Sequence, residues 1–255
     1  MTVRRRDILV IGGIVAAIYG LRALPWDRIT GGGVSFEPIP DLPPFRRLAT
    51  TGQTTGANPA LIGLGAGSSD AGARRARMDA MRADPCPALF GGTLSPDILP
   101  IAYFSEFRCP FCRTLERDLD TLMVDDPGGY RLVQHELPLF GASSDLAARA
   151  SVAAARQGRQ QEFRRLFMRT PLLAEPAALR RVAADLGLDV ARFDSDMASP
   201  GVQAELDRTR ALADLFGFLG TPGLVIGRTV LTGAVPLSLL RRITDEERAL
   251  PLPPC

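Results

Sequence analysis

Two cysteines three positions apart, in the run Cys109-Pro110-Phe111-Cys112, are the side chains of this sequence best suited to covalent chemistry. Exchange of disulfides needs a thiolate at one sulfur and a second thiol close enough to resolve the mixed disulfide that forms. The local pattern supplies both. Leu115, Leu119, Leu122 and Met123 recur at helical spacing behind the pair, so Cys109 falls at the N-cap and Pro110 at the first helical position, where its missing N–H does no harm. The free N–H groups of that first turn and the positive end of the helix dipole lower the pKa of Cys109, while Cys112, one turn in, is shielded and suits the resolving role. Read without context, the same spacing also fits half of a zinc site or two ordinary core cysteines. A four-cysteine zinc site needs a second close pair, and Cys86 and Cys255 stand far apart, so no metal and no cofactor are expected.

The flanking elements decide between these readings. Residues 99–107 form an apolar, partly β-forming run, and residues 130–137 form a second one after the turn Asp126-Pro127-Gly128-Gly129. Strand, helix, strand in that order predicts a right-handed crossover and a parallel pair. In that context the cysteine pair reads as a redox motif. Residues 144–216 are rich in Ala and Arg, with breaks near Gly158, Pro171, Pro176, Gly187 and Pro200-Gly201 that imply about four helices. Residues 224–227 and 229–231 predict two short strands hinged at Gly227-Arg228, and residues 236–250 a closing helix. Just before the hairpin lies Gly220-Thr221-Pro222-Gly223. A cis bond between Thr221 and Pro222 leaves the Thr221 backbone free to pair with a substrate strand, the alternative being an ordinary trans turn.

The runs Phe104-Ser105-Glu106-Phe107-Arg108-Cys109-Pro110-Phe111-Cys112 and Gly220-Thr221-Pro222-Gly223-Leu224-Val225-Ile226-Gly227 resemble the DsbA-like branch of the thioredoxin superfamily, and the order of elements agrees over residues 99–250. The resemblance implies an α/β thioredoxin fold with an inserted helical domain, over about 140–217 within a domain of 96–255. It further implies exchange of disulfides on exported proteins, with Cys109 as nucleophile, Cys112 as resolver, Pro110 and Phe111 in the active-site loop, a cis Pro222, and Thr221 and Pro222 contacting substrate. A membrane redox partner of the DsbB type is implied for re-oxidation, and a periplasmic location. Two positions depart from the pattern. Where some members carry a buried acid six residues before the first cysteine, this chain has Tyr103; Glu106, three before Cys109, is either an acid doing related work or, the favoured reading, a solvated strand end. Phe111, apolar and neutral, offers no donor to the thiolate, which points to a milder oxidant than the Pro-His members. The only histidine, His135, has apolar neighbours and reads as a satisfied core or edge histidine rather than the base of a Cys-His hydrolase.

The rest of the chain bounds the setting. At 255 residues and 46% hydrophobic content a packed core is available, and a formal net charge of +2 with interspersed signs excludes a nucleic-acid partner on composition. Every strongly basic side chain is Arg. Residues 1–26 read as an export signal or membrane anchor: Arg5-Arg6-Asp7-Ile8-Leu9 matches a twin-arginine pattern and the apolar run 8–21 follows. That run holds about 14 residues, short of the ~20 that span a bilayer, yet no clean cleavage site follows it, so an uncleaved anchor with Trp26 at the interface stays open. Residues 27–95 read as a low-complexity, loosely structured extension with one short helix over 71–83. Cys86, before Pro87, and Cys255, after Pro253-Pro254, sit in stiff contexts that suit a structural disulfide pinning the extension to the chain end. The function expected is oxidation or exchange of disulfides in cysteine-bearing exported proteins. A reductase or isomerase, and a Cu(I)-handling protein using the same two sulfurs, are the alternatives.

Overall fold

The structure, a computed structural model, describes residues 34–50, 52–56, 68–92, 94–169 and 174–251. Residues 1–26, expected to be an export signal or membrane anchor, and Cys255 lie outside these residues. Among them, no helix is long and apolar enough to cross a membrane.

The centre is a six-stranded sheet built around β4 (Leu99–Ser105), whose seven residues are all buried. A strand buried on both faces reads as a continuous apolar run, which is what residues 99–105 are. On one side β4 pairs in parallel with β5 (Tyr130–Glu136), and on the other it runs antiparallel to β7 (Gly223–Ile226), which turns at Gly227 into β8 (Thr229–Thr232). The β4–β5 crossover carries helix α3 (Pro110–Asp125), and α9 (Leu237–Arg248) closes the chain, as the sequence pattern predicts. Alternation along β4 sorts the layers. Ala102 and Phe104 join a core with Leu89, Phe90, Phe216, Phe218, Val225 and Val230.

The helical insertion is α4 (Ala142–Ala155), α5 (Gln160–Arg169), α6 (Pro176–Asp185), α7 (Val190–Ala198) and α8 (Pro200–Leu215). Five helices stand where about four were expected: the Pro200-Gly201 break separates two helices rather than ending the last one, since Ser199 caps the second by accepting from the Val202 N–H and proline at its first position needs no partner. The small side chains of α4, Ala147, Ala150, Ala153 and Ala154, let it pack closely against Phe163, Phe167, Leu179 and Phe193.

The expectation of a loose extension over 27–95 is corrected for its described part. β1 (Phe36–Pro38) and β2 (Arg46–Leu48) extend the sheet in the order β1-β2-β8-β7-β4-β5, with β2 parallel to β8. Arg46 fastens them. Its guanidinium donates to Thr229 Oγ1 at 3.0 Å and to the buried Glu247 Oε1 at 2.9 Å, and lies over the Phe36 ring. Glu247 also accepts from the Thr229 hydroxyl and the Arg228 backbone N–H. β3 (Thr55–Gly56) pairs separately with β6 (Gly220–Thr221), α1 (Ser68–Arg82) packs on α8, and α2 (Cys86–Phe90) buries Leu89 and Phe90 completely.

One buried charge joins insertion, sheet and α3. Arg164, with no exposed surface, pairs with Glu116 on α3 at 2.8 Å and with Glu136 on β5, and donates to Ser105 Oγ at 2.8 Å. Burial opposes its charge, but Glu116 and Glu136 outweigh that and keep the guanidinium protonated. Burial pushes the Glu136 carboxyl up and Arg164 draws it back. Removing one member of such a group strands the others. Arg164→Met is therefore expected to destabilise the protein by about 3–5 kcal/mol in urea unfolding, a deficit that shrinks at acid pH as the stranded Glu136 carboxylate, already raised by burial, takes up a proton. A change under about 1 kcal/mol, the typical surface-pair value, contradicts this.

Candidate redox site

The site starts where β4 runs out. After Ser105 the chain turns through Glu106, Phe107 and Arg108, and the Cys109 N–H donates to the Glu106 carbonyl at 3.1 Å. The Glu106 side chain braces this turn: Oε1 accepts from the Arg108 N–H and Oε2 from Ser144 Oγ on α4, each at 3.0 Å. The solvated strand end expected at Glu106 is thus corrected, since the residue is only 2% exposed. Burial raises its pKa, against the Arg108 and Ser144 hydrogen bonds.

Cys109 is the N-cap of α3, with extended backbone (φ −75°, ψ 116°), and Pro110 takes the first helical position. Its Sγ accepts from the Cys112 N–H at 3.2 Å. Sulfur thus occupies the place of the side-chain oxygen in an ordinary cap. The Cys109 thiol is lowered to about 5, first because the Cys112 thiol donates to it, with burial working the other way and Thr55 and Thr221 adding to the decrease. Burial, followed by the bond to Cys109, pushes the Cys112 thiol well up. The two sulfurs therefore divide in character, one anionic at neutral pH and one protonated. Phe111 is half-buried against the cluster formed by Phe107, the two cysteines and the insertion helices.

Tyr103, on β4, lies beneath. It is fully buried, its hydroxyl donates to the Cys112 carbonyl at 3.0 Å, and burial holds the phenol neutral. Where an acid would place a charge, this chain has a neutral donor that ties the first turn of α3 to the sheet. Arg113 ties the same turn to its surroundings, donating to the carbonyls of Met168 and Phe107.

Thr221 and Pro222 come to the other side of the sulfur. The Thr221–Pro222 bond is cis, and the Thr221 carbonyl lies 3.4 Å from Cys109 Sγ, with which the thiol can hydrogen-bond. Residues 112 positions apart in sequence are thereby brought together. Both cysteines are free thiols, and both are fully covered. For Cys109 that cover includes Thr55, a contact no local pattern in Gly52-Gln53-Thr54-Thr55-Gly56 signals.

The remaining residues singled out in the sequence lie apart from this centre. His135 stacks on Phe104 and its Nε2 lies 2.9 Å from the Leu89 carbonyl. Burial lowers its pKa to about 4, so it is the neutral core histidine its neighbours suggested. Cys86 is disulfide-bonded, and Cys255, its expected partner, lies outside the described residues.

Comparison with known proteins agrees with this geometry. A thioredoxin-like oxidoreductase from Silicibacter pomeroyi DSS-3 superposes with a TM-score of 0.59 at 32% identity, covering 64% of this chain and 98% of the other. The thiol-disulfide exchange protein alpha-DsbA2 from Wolbachia pipientis shares the fold at a TM-score of 0.56 and 19% identity, over 71% of this chain and 99% of its own. Among curated sequences, a protein named Na(+)/H(+) antiporter NhaA from Herminiimonas arsenicoxydans is 29% identical over 150 residues, 59% of this chain but 24% of that relative. The chain spans about a quarter or less of the length of the curated relatives it matches. The model of the DSBA-like thioredoxin domain family matches residues 100–244, more than half of the chain, and the chain belongs to that family.

Proposed function

We propose that the chain is a periplasmic dithiol–disulfide oxidoreductase acting on cysteine-bearing exported proteins. The observation that carries this reading is the Cys109 sulfur, capped by the Cys112 N–H at 3.2 Å and facing the Thr221 carbonyl at 3.4 Å beside a cis proline. In the oxidised enzyme a client thiolate attacks Cys109 Sγ, the Cys109–Cys112 bond breaks, and Cys112 leaves as thiolate and takes up a proton. The client's second thiolate then attacks its own sulfur in the mixed disulfide and Cys109 leaves as a stable thiolate. Two electrons pass from client to enzyme and the client gains a disulfide. A membrane partner of the DsbB type would take those electrons onward, as the resemblance to DsbA-like proteins suggests. Export through Arg5-Arg6 and the apolar run 8–21, Thr221 and Pro222 as the client-binding backbone, and a Cys86–Cys255 bridge belong to the same proposal.

Turnover, thiol ionisation, pH-dependent stability and redox potential test it. Insulin reduction and oxidation of a dithiol peptide are expected to fall to background in Cys109→Ser, whereas Cys112→Ala is expected to accumulate a client mixed disulfide at Cys109. Retained turnover in Cys109→Ser excludes the assignment. Titrated by ultraviolet thiolate absorbance, the reduced protein is expected to ionise at about 5 rather than the ordinary ~8.5. Because the folded thiol is the more acidic, reduced wild type is stabilised above the unfolded pKa and loses this as pH falls through about 5; Cys109→Ser lacks the effect. A stable thiolate favours the reduced state. Equilibration with glutathione is therefore expected to give a potential above the roughly −270 mV of thioredoxin; a value at or below it favours the reductase reading.

A further inference from the structure

The strand slot beside the cis proline is already filled by the chain itself. β3 pairs antiparallel with β6, Thr55 opposite Thr221 and Gly56 opposite Gly220, and Thr55 Oγ1 lies 3.5 Å from the Thr221 carbonyl. The same hydroxyl faces the Cys109 sulfur and contributes to its lowered pKa. The approach to β3 is fastened too. The Gly52 N–H donates to the Thr232 carbonyl at 2.7 Å, the Ala234 N–H donates to the Gln53 carbonyl at 2.8 Å, and Gln53 and Ala234 form an antiparallel bridge. Backbone meets backbone there with no space for a side chain: a Cβ on Gly52 would stand 2.1 Å from the Ala234 carbonyl oxygen.

An extended client reaching Cys109 by adding a strand at Thr221 needs the edge that β3 occupies, because one strand edge takes one partner. From this we infer that residues 52–56 are a built-in competitor for the client slot, with Thr55 standing where a client's cysteine would stand. The inference rests on the exchange reading above for what the slot binds. Threonine is branched like no client cysteine, but its hydroxyl sits on the same β-carbon as a thiol and cannot form a disulfide. The segment therefore holds the thiolate covered without consuming it. Tethering gives it an effective concentration on the order of millimolar, enough to exclude weak or dilute partners and not a client that pairs along more of the edge.

Two variants of the full chain test this. Gly52→Val drives the segment off the Ala234 backbone, and the reduced variant is expected to be alkylated at Cys109 at least about tenfold faster than wild type, since the sulfur reacts from the uncovered form. Equal rates overturn the inference. In Thr55→Cys combined with Cys112→Ala, oxidised glutathione as the oxidant is expected to give an intramolecular Cys109 disulfide to position 55 in the monomer, with two electrons passing to form two molecules of glutathione. Peptide maps showing only glutathione on Cys109 and a freely labelled thiol at position 55 overturn it independently of how Gly52→Val folds. Neither readout requires turnover. Fast alkylation and the cross-link together with no insulin reduction in wild type or Gly52→Val would retain the covering segment and remove the exchange reading; insulin reduction with neither would do the reverse.

Discussion

A sulfur used as a helix cap is the interaction on which the rest of this molecule turns. An oxygen cap merely satisfies an N–H of the first turn. With Cys109 in that place, the same geometry stabilises negative charge on an atom that can exchange partners, and the thiol of Cys112 reinforces it. The arrangement works only if the first turn of α3 is immobile relative to the strand beneath and the loop beside it. Tyr103 fixes the turn from below through the Cys112 carbonyl, Glu106 fixes the approach to it through Arg108 and Ser144, and Arg113 fixes it laterally. None of these groups has to touch a client to matter.

The helical insertion belongs to this support rather than standing beside it. Phe107, Cys109 and Cys112 share an apolar cluster with α4, α5, α6 and α7, so the insertion excludes water from one side of the thiolate. Arg164 then locks α5 to α3 and β5 with a buried cation between two carboxylates. Apolar residues of similar volume would hold the helices with less desolvation. What the ions add is registry: a guanidinium with fixed donors accepts few alternative placements of Glu116 and Glu136.

Much of this was legible beforehand, and the reasons differ by element. The β4–α3–β5 unit announces itself through a continuous apolar run, a proline at a helical first position and leucines at helical spacing, all local signals. The hairpin at Gly227 is equally local, whereas Gly220-Thr221-Pro222-Gly223 fits a trans turn as well, and only the cysteine pair and the family resemblance favour the cis bond. What escaped is set by distance. β1 and β2 have three residues each, too few for periodicity, and the partners of Arg46, Thr229 and Glu247, stand about two hundred positions later in the chain. Glu106 reads as solvated because its burial depends on Ser144. Thr55 carries no signal at all, since its role follows from where β6 lies.

The parallel pairing of β2 with β8 also bears on what counts as one folding unit. The family match begins at residue 100, but a chain cut there would leave β8 with an unpaired row of N–H and C=O groups, the buried Val230 and Leu231 beside it, and Glu247 without the Arg46 cation. Open, apolar strand edges recruit other chains. β1 and β2 are thus a hem on the sheet: trimmed to the conventional domain limits, the protein would be prone to stick to copies of itself before its thiols were ever assayed.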